Sequence, residues 1–481
     1  MAGPPRPTDA DSVRPAEEVP TVLRGLSRSS WPAAGPPAPV RVVHLGLGAF
    51  HRAHQAWYTH RANLAGAEQA GIAAFTGRRP DAGRRLTEQN GLYGLLVRGA
   101  DGDEVEVVTS ISAAHDGSRV DEMVRYLADP QVGVVTLTVT EAGYRRAAGG
   151  GLDVADDAVA ADIETMRSGG DALHTAPARL LAALRARRAA DAGPIAVVPC
   201  DNLPANGPTV HAVMRELADL VDPALASYLD ESVRFVSTTV DRITPATIDA
   251  DKHAVGERLG LVDEAAVVTE PFTEWVLAGE FPAGRPGWEA AGARFVADVE
   301  PFEQRKLYLL NGAHSMLAYA GLAHGHATMA EAVAEDGLRE HVERWWAEAS
   351  GQLPLPAAEL ATYTEALLSR FANPALRHLL QQVAMDGSQK LPIRVLPVVR
   401  AERAAGRLPT GAVFAVGAWL AHLRGAGGDV VDPLASQLAA DAGGATDAAA
   451  RGVLGVIASD LADDTDLVAA VADACERVEA R

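Results

Sequence analysis

The run VRVVHLGLGAFH, residues 40–51, decides the fold. A β-branched apolar stretch ends in Gly46-Leu47-Gly48, and Ala49, Phe50 and His51 open a helical pattern directly after it. A strand, a tight glycine turn and a helix in that order form the first βα unit of a dinucleotide-binding sheet. Gly46 permits the turn, Gly48 lets a pyrophosphate approach the backbone N–H groups, and the helix start adds its positive dipole end. Gly46, Gly48, Ala49 and Phe50 are therefore candidate cofactor-binding residues. His51 stands where the third fingerprint glycine would be, and the helix is expected to run over 49–63. A Gly-x-Gly after a strand is also an ordinary turn; its place in the first βα unit gives it weight.

Working outward, apolar β-branched runs recur at 71–76, 105–111, 132–140, 194–199 and 233–240, with amphipathic helical patterns at 176–190 and 207–220. Alternation of this kind predicts a parallel sheet covered on both faces. From 301 onward the pattern is helical, at 301–321, 329–350, 357–371, 412–423, 448–461 and 466–480. The expected architecture is α/β: a Rossmann-type, doubly wound parallel sheet over 38–295, then a mostly α-helical domain over 296–481, with the active site between them. Residues 1–37 carry many prolines and interspersed charges, and are expected to form a disordered tail.

Composition narrows the function. A formal charge of −20 repels phosphate backbones and anionic lipid, which argues against nucleic-acid and membrane-surface roles. Apolar runs stay shorter than the roughly 18 residues that suggest a membrane span. Two cysteines, Cys200 and Cys475, fit a reducing cytoplasm and cannot build a Cys-rich zinc site; no metal is expected. Nothing in the surface pattern marks a large interface, so a monomer or weak dimer is expected. The second strand runs into Thr76-Gly77-Arg78-Arg79, with no carboxylate at its tip to meet a ribose 2′-hydroxyl. The arginines could meet a 2′-phosphate or form a solvated loop, so both NAD and NADP stay open.

The segment 298–321, DVEPFEQRKLYLLNGAHSMLAYAG, carries the chemistry. On an α-helix advancing about 100° per residue, Glu303, His314 and Asn311 fall about 60°, 80° and 140° from Lys306. Four polar side chains then share one side of an otherwise apolar helix, which is costly unless they are paired or in use. An inter-helix hydrogen-bond network or a solvent-facing stripe would account for the pattern equally well. Two polar clusters, 200–207 (CDNLPANG) and 239–245 (TVDRITP), end strands where open α/β sheets bind ligands. They contribute Asn202 and Asp241, while Asn202 and Asn206 also suit turn and cap positions.

Taken together, 46–58 (GLGAFHRAHQAWY), 138–144 (TVTEAGY), 200–207, 240–245, 270–275 (EPFTEW), 298–321, 370–374 (RFANP) and 386–392 (DGSQKLP) resemble the long-chain polyol dehydrogenase family. Lys306, Asn311 and His314 match its K-x-x-x-x-N-x-x-H signature. The resemblance implies an NAD(P)-dependent, metal-independent oxidoreductase with Lys306 as general acid and base. It further implies Asn202 and Asn311 as donors to the developing alkoxide, His314 as the group orienting substrate, Glu303 as a proton relay, and Asp241 as a residue placing cofactor or active-site groups.

Within the family, 373–378 and 386–394 look more like the fructuronate reductase branch than the mannitol 2-dehydrogenases. The expected substrate is then a sugar acid, with D-fructuronate and D-mannonate interconverted. Arg377, His378, Lys390 and Arg394 are the candidate substrate-binding cations. Internal ion pairing, above all for Arg394, is the alternative use of these side chains. Interconversion of D-mannitol and D-fructose, oxidation of mannitol 1-phosphate, and a cofactor-binding sensor without turnover are the other readings.

Overall fold

The computed structural model describes residues 24–480 except 67, 78 and 148. Arg78 and residues 1–23 of the expected tail lie outside the described residues. Residues 24–37, also expected to be disordered, are ordered instead. Leu26 is buried beside Leu92 and Leu261, and Gly25 bridges to Val262. The Arg28 guanidinium donates to the carbonyls of Asn90, Gly35 and Thr109. Burying one leucine contributes about 2 kcal/mol, and the Arg28 hydrogen bonds add to the anchoring of this strap.

Among the described residues twelve strands follow: β1 Val40–Leu45, β2 Gly71–Phe75, β3 Tyr93–Gly99, β4 Gly102–Val108, β5 Ile111–His115, β6 Val134–Leu137, β7 Ile195–Pro199, β8 Val233–Phe235, β9 Ser237–Asp241, β10 Val267–Thr269, β11 Glu274–Ala278 and β12 Arg294–Phe295. Six form one sheet in the order β5-β2-β1-β6-β7-β8, every pairing parallel. Strand order reverses beside β1, and that crevice is where doubly wound sheets take their ligands. Both faces of the sheet are buried. Val43, Leu45, Val135 and Val197 pack under the helices Val120–Leu127 and Ala176–Ala189. Val42, Val134, Ala196 and Val198 face the opposite layer with Tyr58 and Trp275.

Several expectations from periodicity are corrected, among them the helix expected over 329–350, which is two, Met329–Ala334 and Asp336–Ser350. The helix expected over 49–63 is two, Ala49–Ala53 and Gln55–Ala65, broken where His54 leaves helical geometry. The run at 105–111 spans the end of one strand and the start of another: β4 pairs with β3 in a side sheet, and β5 edges the main one. The run at 233–240 also divides. β8 completes the main sheet, while β9 turns away to pair antiparallel with β11. That turn carries Val240 and Asp241 toward the interdomain cleft. A short apolar run shows its burial but not its partner, so neither division was visible beforehand.

From Glu300 onward the chain is helical and builds a second core from Leu309, Leu317, Trp345, Trp346, Leu367 and Trp419. Among the described residues no helix is long and apolar enough to cross a membrane.

Candidate active site

Gly46 makes the turn after β1 at φ +109, where a Cβ would lie 2.4 Å from the Thr138 carbonyl oxygen. Only glycine fits there. The turn is supported from below: Thr138 Oγ1 donates to the Gly46 carbonyl, and the buried His44 ring bridges Thr138 and Thr136. Burial pulls the His44 pKa down to about 3, so the ring is neutral at working pH. Gly48 precedes the first turn of the helix Ala49–Ala53 in extended geometry. Phe50 lines the cavity above it.

That cavity, of about 650 Å³, is bounded by Phe50, Thr138 to Ala142, Cys200 to Asn202, Val240 to Arg242, Thr244 and Lys306. A second cavity of about 270 Å³ shares Asp201, Asn202 and Lys306 with it, and extends between Glu303, Tyr308 and Asn311. Lys306 stands where the two meet.

The half-buried Lys306 Nζ donates to Asn202 Oδ1 at 2.6 Å and to the Val240 carbonyl at 2.7 Å. Burial lowers its pKa; Asp241 opposes that shift, and Arg370 and Arg394 add to it. Since Asn202 Oδ1 receives this bond, its amide nitrogen is left to donate. The Asn202 loop is anchored by Asp201, which accepts from Tyr144 Oη at 2.5 Å and from the Leu203 N–H at 3.0 Å.

Lys306–Gly312 is wound as a π-helix between the α-helices Glu300–Arg305 and Ala313–Ala323. The wheel drawn at about 100° per residue is therefore wrong across this stretch. In i→i+5 winding, residues five apart stand about one turn apart. Lys306 and Asn311 thus come onto one face and line the same small cavity. Glu303 lines it too. One of its oxygens accepts weakly from the Ala205 N–H at 3.5 Å, and the other is buried without a partner among the described residues. Burial raises its pKa.

His314 is buried one step further along, tilted against Phe371 and edge-on to His378 at 4.9 Å. Its Nε2 has no hydrogen-bond partner among the described residues, and burial drives its pKa well below the usual value, with His378 and Arg370 adding to the effect.

The remaining candidates divide. Asp241 is buried with both oxygens on Arg370, at 2.7 and 2.9 Å, and the same guanidinium holds Glu270. Burial raises the Asp241 carboxyl, Arg370 outweighs it, and the group lies below the usual carboxylate range. Lys390 spends hydrogen bonds on the Val383 and Met385 carbonyls. Arg377 is exposed and lines neither cavity. Arg394 reaches the helix that follows Lys306, donating to Ser315 Oγ at 3.2 Å and to the Asn311 carbonyl at 3.4 Å. No carboxylate pairs with it among the described residues, so the ion pairing considered for it is not found.

Arg370, the Val240 carbonyl and the Tyr144–Asp201 pair went unassigned in the sequence. Their motifs were visible, but each acts through a partner distant in the chain, which spacing does not reveal.

The sequence model of the mannitol dehydrogenase Rossmann domain matches residues 40–290, and that of the mannitol dehydrogenase C-terminal domain matches 298–479. The chain is 37% identical to the D-mannonate oxidoreductase of Escherichia coli, over 91% of this chain and 93% of the relative. It is 33% identical to a mannitol 2-dehydrogenase of Aspergillus fumigatus, over 83% and 82%. The solved ternary complex of Pseudomonas fluorescens mannitol 2-dehydrogenase with NAD and D-mannitol superposes with a TM-score of 0.77 at 29% identity, covering 94% of this chain and 96% of that one.

Proposed function

Because the chain belongs to the mannitol dehydrogenase family, we propose that it interconverts a keto sugar acid and its secondary alcohol, D-fructuronate and D-mannonate, with NAD and with Lys306 as general acid and base. The observation that carries the sugar-acid reading is Arg394: a cation beside Asn311 and Ser315 with no carboxylate partner among the described residues. A substrate carboxylate would supply the missing charge through charge-assisted hydrogen bonds. The similarity to D-mannonate oxidoreductase supports the same reading.

The cavity wall suits a dinucleotide. Phe50 brings the glycine turn to that wall, and the side-chain-free backbone at Gly46 with the helix start at Ala49 beside it would cradle a pyrophosphate. The nicotinamide, when bound, takes or returns the hydride. Lys306, its pKa lowered by burial, is able to be neutral and take the hydroxyl proton during oxidation. The Asn202 and Asn311 amides donate to the oxygen as it gains charge, the electrostatic work of an oxyanion hole. His314, buried behind Asn311 with its Nε2 unpartnered among the described residues, is assigned the orienting of a substrate hydroxyl. Glu303, raised by burial and one cavity wall away, accepts the proton from Lys306 on its way to solvent.

One observation favours the hexitol reading. Lys390 is occupied by backbone carbonyls, and Arg377, His378 and Arg394 line neither cavity, which thins the cationic set. Initial rates of NADH oxidation with D-fructuronate, D-fructose and fructose 6-phosphate separate the two. The proposal expects fructuronate to be clearly fastest. Equal or faster turnover of fructose would overturn the sugar-acid assignment.

A further inference from the structure

The π-wound stretch of the catalytic helix is an unusual and poorly favoured geometry, and it needs support from outside the helix. Two consecutive indoles supply it. Trp345 Nε1 donates to the Tyr308 carbonyl at 3.0 Å, and Trp346 Nε1 to the Leu309 carbonyl at 2.8 Å. Both acceptors lie inside Lys306–Gly312. Trp345 is fully buried and Trp346 nearly so, both on the helix Asp336–Ser350. Contact is close: a Cβ at Gly312 would come within 2.6 Å of Trp345 Cζ2 and 3.0 Å of its Nε1.

We infer that Trp345 and Trp346 are positioning residues, whose indole N–H groups hold the π turn that brings Lys306 and Asn311 onto one face. Neither indole lines the cavities; they act through the backbone of the catalytic helix. In plain α winding Asn311 would rotate about 140° from Lys306, away from the oxygen that both must reach. This rests on Lys306 being the base. The indole pair therefore governs turnover more than affinity, since it sets the placement of groups already present.

The test is the Trp345→Phe, Trp346→Phe double variant, which keeps aromatic bulk and removes both donors. Gly312→Ala is made beside it, leaving the donors but pressing a methyl group into the Trp345 ring. In both variants kcat is expected to fall about tenfold or more, as a misplacement near 1 Å does, and the pH limb of alcohol oxidation is expected to move. Substrate KM and NADH affinity, the latter by fluorescence titration, are expected to stay within about twofold. If either variant fails to fold, the other and the single Trp346→Phe variant carry the test. A lower Tm with kcat and the pH limb unchanged would overturn the proposal and leave the indoles as packing. Lys306→Ala keeps the two readings apart: normal turnover in that variant would refute the base, whereas its inactivity beside fully active tryptophan variants would refute the indole role alone.

Discussion

The Lys306 ammonium nitrogen and the Val240 carbonyl oxygen stand 2.7 Å apart, so the proposed base on the helical domain is tethered to the Rossmann-side strand that ends in Asp241. The next residue continues the bridge, since Asp241 takes both its hydrogen bonds from Arg370, at the end of the helix Ala357–Phe371. Domain placement and lysine electrostatics are thus set by the same few residues. Asp241 pulls the Lys306 pKa up, and burial and Arg370 pull it down.

That balance fixes a sign for the pH dependence. Only neutral Lys306 accepts a proton, so alcohol oxidation rises with pH through a limb lying below the ordinary lysine range, and ketone reduction falls through it. Removing the Arg370 charge by Arg370→Met frees Asp241 to act on the lysine, so the limb moves to higher pH. The same change leaves Asp241 and Glu270 buried without a counter-charge, which costs about 3–5 kcal/mol of stability. Profiles of kcat/KM against pH, with denaturant unfolding of both proteins, check the two outcomes.

Gly46→Ala is expected to weaken cofactor binding. Its Cβ would meet the Thr138 carbonyl at 2.4 Å, in a backbone conformation at φ +109 that alanine resists. NADH titration followed by fluorescence should show affinity weakened by about tenfold or more, which is a change of about 1.4 kcal/mol or more. Gly48→Ala offers a comparison, because only the Gly46 carbonyl, at 3.5 Å, approaches a Cβ there. Any loss at Gly48 would then report crowding of the ligand and not of the fold.

Arg394→Met separates substrates by charge. Losing a charge-assisted hydrogen bond costs about 1.5–3 kcal/mol, so kcat/KM for the sugar acid should fall by about tenfold to a hundredfold. The neutral ketose should lose far less. Parallel loss on both substrates would assign Arg394 to supporting the Asn311 backbone, which it also contacts.

These residues show how far the sequence could be read. The helix Ala357–Phe371 was legible to its ends because its apolar spacing is regular and Pro356 precedes it. The Lys306, Asn311 and His314 trio was legible as a motif, yet its geometry was not: a wheel assumes α winding, and the π turn depends on indoles 37 residues away. Residues 24–37 were misread because proline content outweighed a single leucine whose burial site is formed by residues 92 and 261. Lys390 and Arg394 look alike as cations on one helix. Only the fold shows that one reaches local carbonyls and the other reaches Ser315, on the helix that follows Lys306.

The central claim is that Lys306 moves the proton, and the most direct measurement is turnover of Lys306→Ala alongside its affinity for NADH. The account predicts that kcat falls by about a hundredfold to ten-thousandfold, the range of general acid–base catalysis, while NADH binds as before. Turnover within about tenfold of the parent protein would contradict it and move the search for the base to Glu303 or His314.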